Sequence, residues 1–80
     1  MLVRRVPIDS SSIASIGYDA ATQTLEVEFR AYGTFRYFDF PEFLYNGLML
    51  APSKGSFFNQ RIANRYRFEE IDRPGQPEGR

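Results

Sequence analysis

Apolar and polar residues alternate along three short stretches in the first half of the chain. The apolar residues that share a face are Ala14, Ile16 and Tyr18 in the first stretch, Leu25, Val27 and Phe29 in the second, and Phe35 and Tyr37 in the third. A period of two is typical of β-strands, because successive side chains point to opposite faces of a sheet. We therefore expect three antiparallel strands joined by two hairpin turns.

The turns between these stretches predict how the strands pair. A first turn over residues 20–23 brings apolar residues opposite one another, and a second turn over residues 31–33 does the same if Gly33 takes a positive φ. The predicted pairs are Ala14–Phe29, Ile16–Val27 and Tyr18–Leu25 in the first hairpin, and Phe29–Phe35, Val27–Tyr37 and Glu28–Arg36 in the second. A slip of one residue would break all of these pairs together.

The second half of the chain has the spacing of helices. From Pro41 to Ala51 the apolar residues recur every three or four positions, Gly47 weakens the pattern and Pro52 ends it. Ser53 can then cap a second helix that runs towards Tyr66. On that helix Phe58, Ile62 and Tyr66 fall four apart on one stripe, as expected for a face that docks against a sheet.

These elements predict an α+β domain in which a three-stranded antiparallel meander is followed by two short helices on one face, in the order β-β-β-α-α. We expect a flexible lead-in over residues 1–9, in which Val3, Val6 and Ile8 cover an edge of the core, and a single domain over residues 10–71. A short last strand near Phe68 and Ile71 is compatible with the pattern. The tail at 72–80 is rich in Pro, Gly and charge, which predicts disorder.

Composition narrows the possible functions. The chain has 80 residues, no Cys and no His, which excludes disulfides, thiol nucleophiles and the usual general base at neutral pH. The acidic residues Asp9, Asp19, Asp39 and Glu42 are scattered singly, without metal-ligand spacing or a paired acid and base, so we expect no catalytic site, no metal site and no cofactor. The serines at positions 10–12 are more simply explained as turn residues than as nucleophiles. The predicted protein is a non-enzymatic single domain.

Ten basic and ten acidic residues give zero net charge, yet the charges are unevenly distributed. Between Ser53 and Arg67 there are four cations and no acidic residue. The candidate nucleic-acid-binding residues are Lys54, Phe57, Arg61, Arg65 and Arg67. In this hypothesis the arginines neutralise phosphates, Lys54 and the helix N-terminus hold another phosphate, and Phe57 stacks on an unpaired base. The alternative is a solvated helix face balanced by acidic residues elsewhere.

Four blocks of the sequence resemble the KTSC domain family, which occurs at the C-terminus of some lysyl-tRNA synthetases and as small bacterial proteins. The blocks are Ser11–Asp19, Leu25–Tyr37 with its Phe35 and Tyr37 pair, Phe40-Pro41 with Tyr45, and the stretch S-x-G-x-F-F-N-x-x-I-x-x-x-Y from Ser53 to Tyr66. The family more often has Val before the proline. The motif residues Ser53, Gly55, Phe58, Asn59, Ile62 and Tyr66 are expected to be structural, with the Asn59 amide bonded to the end of a strand.

The resemblance implies a small α+β domain, links the family to RNA through the synthetases that carry it, and offers no catalytic residues to carry over. The partner expected for the basic helix face is a tRNA-like or single-stranded RNA. The alternative is a protein-interaction module that uses a sheet edge, at the first or third strand, or the outer sheet face with Glu26, Glu28, Arg36 and Phe38. The short apolar runs and the N-terminal sequence predict a cytoplasmic protein without a membrane partner. We also expect a monomer.

Overall fold

The computed structural model describes residues 3–72, which form seven elements. The strands are β1 (Arg5–Pro7), β2 (Ile13–Asp19), β3 (Thr24–Phe29), β4 (Gly33–Tyr37) and β5 (Phe68–Asp72), and the helices are α1 (Glu42–Leu50) and α2 (Lys54–Arg61). All five strands join one antiparallel sheet in the order β1-β2-β3-β4-β5. The predicted α+β class is confirmed, and one strand is added on each side of the predicted three.

The hydrophobic core lies between one face of the sheet and the two helices. The strands contribute Ile16 and Val27, α1 contributes Leu48, and Ile62 follows the end of α2; none of these four side chains is exposed. Phe40, in the link between β4 and α1, is also fully buried. Both helices lie in the connection between the neighbouring strands β4 and β5. They cover this face of the sheet, and the chain then forms the edge strand β5.

The first hairpin has the predicted register over most of its length. Tyr18 pairs with Leu25 and Ile16 pairs with Val27, and the turn is stabilised by the Asp19 carboxylate, which accepts a hydrogen bond from the Ala21 N–H at 3.1 Å. At the open end of the hairpin the register shifts between Ile13 and Ser15, and Ile13 rather than Ala14 lies opposite Phe29. The predicted Ala14–Phe29 pair is therefore wrong.

The predicted register of the second hairpin is wrong by two residues. Phe29 pairs with Gly33, because the turn takes up residues 30–32 and Gly33, with its φ of 102°, is already the first residue of β4. Phe35 consequently lies opposite Val27, Tyr37 opposite Leu25, and Arg36 opposite Glu26 rather than Glu28. A shift of two residues leaves each side chain on its predicted face, so the core is unaffected.

The predicted lead-in includes a strand that the sequence pattern did not indicate. Arg5–Pro7 pair with β2, and of the three residues expected to cover the core, Val3 and Ile8 are buried while Val6 is exposed. Since β1 and β5 flank the sheet, the first and third predicted strands are both interior, and neither is the edge that we expected. Asp72 ends β5, and the rest of the predicted tail lies outside the described residues.

Candidate nucleic-acid interface

Helix α2 is shorter than the sequence pattern predicts. Ser53 caps it as expected, because its Oγ accepts a hydrogen bond from the Ser56 N–H at 3.3 Å. The helix ends at Arg61, and Asn64 then adopts a left-handed conformation with φ of 64°, which asparagine tolerates better than most residues. Arg65 and Tyr66 therefore follow the helix rather than extending its stripes.

Lys54 and Arg61 lie at the two ends of α2. The Lys54 Nζ donates a hydrogen bond to the Ala51 carbonyl oxygen at 3.0 Å. One of the three N–H donors of this ammonium group is therefore used at the junction between the helices. The Arg61 guanidinium lies over the Phe57 ring, 5.7 Å from its centroid. An added Cβ on Gly47 would lie 3.0 Å from the Phe57 ring, which shows that Phe57 packs closely against α1. Phe57 is thus a partly buried contact between the helices.

Arg65 and Arg67 are exposed and have partners within the chain. Arg65 Nη2 donates to the Gln60 carbonyl oxygen at 3.4 Å, which satisfies one of the free carbonyls at the end of α2. The Arg67 guanidinium lies 4.6 Å from the centroid of the Phe38 ring and 3.8 Å from the Asp39 carboxylate. Both ion-pair partners are largely exposed, so this pair is weak. We call Arg61, Arg65 and Arg67 the arginine segment.

The remaining residues of the family motif mostly contribute to packing. The Phe58 ring meets Phe29 and Tyr37 edge-on, at centroid distances of 5.0 and 5.5 Å. Ile62 is fully buried, and the Tyr66 ring lies 4.9 Å from that of Phe40. These contacts hold α2 and the following turn against the sheet.

Asn59 differs from the other motif residues. Its side chain is exposed, and no described residue forms a hydrogen bond with its amide, although we expected a bond to the end of a strand. Asn59 and Gly55, four positions apart on α2, both line a groove of about 450 Å³. The opposite side of the helix carries Phe57 and Arg61.

The groove has an aromatic floor and a polar rim. Its floor is formed by Phe29, Phe35, Tyr37 and Phe58. Ser12, Asn59 and Tyr32 stand at its edges, and no charged residue lines it. We call this site the aromatic groove. The alternating pattern predicts a core position for the strand residues of this groove and does not predict a groove. The signal that could have indicated it is that all four aromatic residues fall on one face of the strands and α2, next to the side of the helix with Gly55 and Asn59.

Burial affects the chemistry of one groove residue. The Tyr37 side chain is almost fully buried, and burial raises its pKa to about 12 because the tyrosinate anion would lose its hydration. Tyr37 is therefore a neutral hydroxyl at every physiological pH.

A smaller polar cleft of about 220 Å³ lies at the start of α2. It is lined by Asp9, Ser10, Ser11, Pro52, Ser53 and Lys54. The Ser10 Oγ accepts hydrogen bonds from the Ser12 and Ile13 N–H groups, both at 3.2 Å, as expected of a turn residue at the entry to a strand. The cleft adjoins the aromatic groove, because Ser12 and Gly55 of the groove directly follow Ser11 and Lys54 of the cleft.

Within residues 3–72, no group of three acidic side chains is arranged to hold a metal ion. No helix in the same range is both long and apolar enough to cross a membrane.

A five-stranded antiparallel sheet with two helices on one face defines a small α+β domain, and comparison with known proteins identifies its family. The model of the KTSC domain matches residues 9–66, so the chain belongs to the KTSC domain family. The resemblance of the four sequence blocks is thereby confirmed.

Two relatives are similar over almost their whole length. The crystal structure of a KTSC domain protein from Yersinia pestis superposes with a TM-score of 0.85 at 40% identity, covering 88% of this chain and 99% of that one. An uncharacterised protein of Stutzerimonas stutzeri is 41% identical over 71 residues, which are 88% of this chain and all of the relative.

A third relative is much larger. A lysine–tRNA ligase of Nostoc punctiforme is 36% identical over 63 residues, which are 79% of this chain but 11% of the ligase. The chain therefore matches about a tenth of that enzyme, and the domain occurs both in small proteins and within a ligase.

Proposed function

We propose that this domain is a non-catalytic accessory module that binds RNA, with the arginine segment holding phosphates of a tRNA-like or single-stranded partner. The observation that carries the proposal is that Arg61, Arg65 and Arg67 are all exposed between the end of α2 and the start of β5, within a stretch that has no acidic residue from Ser53 to Arg67. Phosphate binding requires such a local excess of cations, because the chain as a whole is neutral.

The relatives support the proposal by association. Lysine–tRNA ligases join lysine to tRNA, as their name says, and a domain of this family forms about a tenth of the matched ligase. An appended module that holds RNA would increase the local concentration of the ligase's substrate.

The arrangement of side chains refines the hypothesis for Lys54 and Phe57. Lys54 uses one of three N–H donors on the Ala51 carbonyl, so two donors are left for a phosphate in the polar cleft. Phe57 is wedged against Gly47 and underlies Arg61, so we assign it the role of orienting that guanidinium rather than stacking on a base. Three arginines and one lysine then make at most four phosphate contacts.

The test is a titration with tRNA and with a single-stranded RNA oligonucleotide at several salt concentrations. For a single strand, three to four phosphate contacts give a slope of log affinity against log salt of about −2 to −3. Arg61→Ala and Arg65→Ala should each reduce the slope by about 0.7. Arg4→Ala is the matched control, because Arg4 is exposed, lies outside the arginine segment and forms no ion pair with a described residue.

Two outcomes would contradict the proposal. One is the absence of binding at low salt, and the other is binding that responds equally to Arg4→Ala and to the two arginine-segment variants. Either result would favour the protein-interaction alternative, for which β1 and β5 are the available edges. The outer sheet face is a poorer candidate for that alternative, since Glu26 at its centre is buried and ion-paired with Arg5 and Arg36.

A further inference from the structure

The aromatic groove combines an exposed aromatic ring with a side-chain amide, and an unpaired nucleic-acid base can bind to both. We infer that it receives one base of the bound RNA strand, with Tyr32 stacking on the ring and the Asn59 amide hydrogen-bonded to its edge. The inference rests on the proposed RNA-binding function and adds to it a site on the other side of α2 from Phe57 and Arg61.

Tyr32 is the ring that is available for stacking. It lies in the turn between β3 and β4, its side chain is 70% exposed, and it contacts no other aromatic ring among the described residues. A tyrosine that is not needed by the core presents a flat apolar face at the rim of the groove. Bases of any identity stack on such a face.

Asn59 supplies the polar half of the site. Its amide carries both a donor and an acceptor, and within residues 3–72 neither has a hydrogen-bond partner. The edge of an unpaired base presents donors and acceptors side by side, which an amide can match. A phenylalanine or leucine from a protein partner would leave this amide unsatisfied, so the groove favours a base over an apolar side chain.

The charges around the groove fit the same ligand. No charged residue lines the groove, as suits a neutral base, whereas the adjoining polar cleft contains Lys54 and the hydroxyls of Ser10, Ser11 and Ser53. A nucleotide whose base occupies the groove can place its phosphate in that cleft. The Asp9 carboxylate also lines the cleft and opposes the phosphate, so we expect the base to provide most of the selectivity for this site.

Gly55 lets the turn at Ser12 lie close to α2. An added Cβ at this position would lie 2.6 Å from the Ser12 Oγ, so a side chain here would push the turn away from the helix. The contact between Ser12 and α2 at the edge of the groove thus depends on a residue without a side chain.

The inference can be tested with single-stranded RNAs of about six nucleotides, a common site size for small binding domains. Asn59→Ala should weaken binding by about two- to tenfold through the loss of hydrogen bonds, and Tyr32→Ala by about fivefold or more through the loss of stacking. Neither variant should change the salt slope, because neither residue touches a phosphate. Gln60→Ala and Phe43→Ala are the controls, an exposed amide on α2 and an exposed ring on α1 that lie outside the groove.

The outcomes separate the groove from the arginine segment. If wild-type binding depends on Arg61 and Arg65 but Asn59→Ala and Tyr32→Ala bind like their controls, the groove inference is overturned and the RNA-binding function stands. If wild-type protein binds no RNA at low salt, both are overturned. Selective weakening by the two groove variants at an unchanged salt slope is the result that we expect.

Discussion

The Arg5 side chain crosses strand β2 to bind Glu26 on β3, with 2.9 Å between Arg5 Nη1 and Glu26 Oε1. Gly17 pairs with both residues and lies between them in the sheet. Because Gly17 has no side chain, it leaves the outer face open at this point. Arg36 continues the same row on β4 and binds the other Glu26 oxygen at 2.6 Å, and its next neighbour on β5 is Glu69, at 3.6 Å.

Gly17→Ala should separate β1 from the sheet. The added Cβ would lie 2.9 Å from both the Arg4 carbonyl carbon and Arg5 Cγ, and moving the Arg4 backbone aside would pull Arg5, the next residue, out of its pairing with Gly17. We expect the free energy of unfolding to fall by about 1–3 kcal/mol, as for other overpacked sites. Urea denaturation measures the loss, and hydrogen exchange should show that β1 amides lose protection.

Arg5→Ala is the comparison for that experiment. It removes the ion pair with Glu26 but leaves the backbone of β1 in place, so β1 amides should stay protected. An equal loss of protection in both variants would show that the ion pair, and not the close approach at Gly17, holds β1.

Glu26→Gln should strongly destabilise the fold. Only 3% of Glu26 is exposed, and its carboxylate is shared by two arginines, one of which, Arg36, is itself largely buried. Removing the negative charge takes away the buried carboxylate that Arg36 binds at 2.6 Å, and breaking a buried ion pair typically costs about 3 kcal/mol. Glu28→Gln is the matched control, since Glu28 is half-buried on the same strand and contacts Ser15 rather than an arginine. Similar unfolding free energies for the two variants would contradict this account.

Tyr18→Phe should cost about 1 kcal/mol of stability. The Tyr18 hydroxyl donates a hydrogen bond to the Phe40 carbonyl oxygen, and the variant leaves this carbonyl without that donor. The stacking of Tyr18 on Tyr45, with ring centroids 4.8 Å apart, is retained. Tyr45→Phe removes a hydroxyl that has no hydrogen-bond partner among the described residues, so thermal unfolding should distinguish the two variants.

Patterns of short range predicted most of this fold. Alternation indicated β2, β3 and β4, and the apolar spacing with Pro41 and Pro52 indicated α1, because these signals depend on neighbouring residues alone. Strand β1 was missed since it has three residues, all exposed, and owes its place to Gly17 and Glu26 on other strands. A pairing of this kind cannot be read from a local pattern.

The candidate site was less accessible to sequence reasoning. The cations between Lys54 and Arg67 could be found by counting charges, but the end of α2 at Arg61 separates Arg65 from the helical stripe. The aromatic groove depends on residues from the serine turn, two strands and a helix, which meet only in the folded chain. The sequence pattern predicted that Phe57 stacks on a base. Its actual contact is with Gly47 on α1, and a contact between two helices cannot be recognised from the residues of α2 alone.

Two tyrosines make stability depend on pH in the alkaline range. Burial raises the pKa of Tyr37 to about 12. The pKa of Tyr18 is also raised, mainly by burial and further by the carboxylates of Glu42 and Asp19. In both cases the folded protein holds the phenolic proton more tightly than the unfolded chain does.

The ordinary pKa of tyrosine is about 10, so Tyr37 should not affect the unfolding free energy below about pH 10. As the pH rises from about 10 to about 12, the unfolding free energy should fall. Because the pKa of Tyr37 is about two units higher in the folded protein than in the unfolded chain, its full ionisation should lower the unfolding free energy by about 3 kcal/mol. Tyr37→Phe keeps the ring contacts and removes the ionisable proton. Between about pH 10 and 12 its urea denaturation midpoint should therefore fall less than that of the wild type, and the fall that remains is due to Tyr18. Tyr32→Phe, at an exposed ring, is the control and should follow the wild type. Equal pH dependence of Tyr37→Phe and wild type would show that the Tyr37 hydroxyl reaches water in the folded protein.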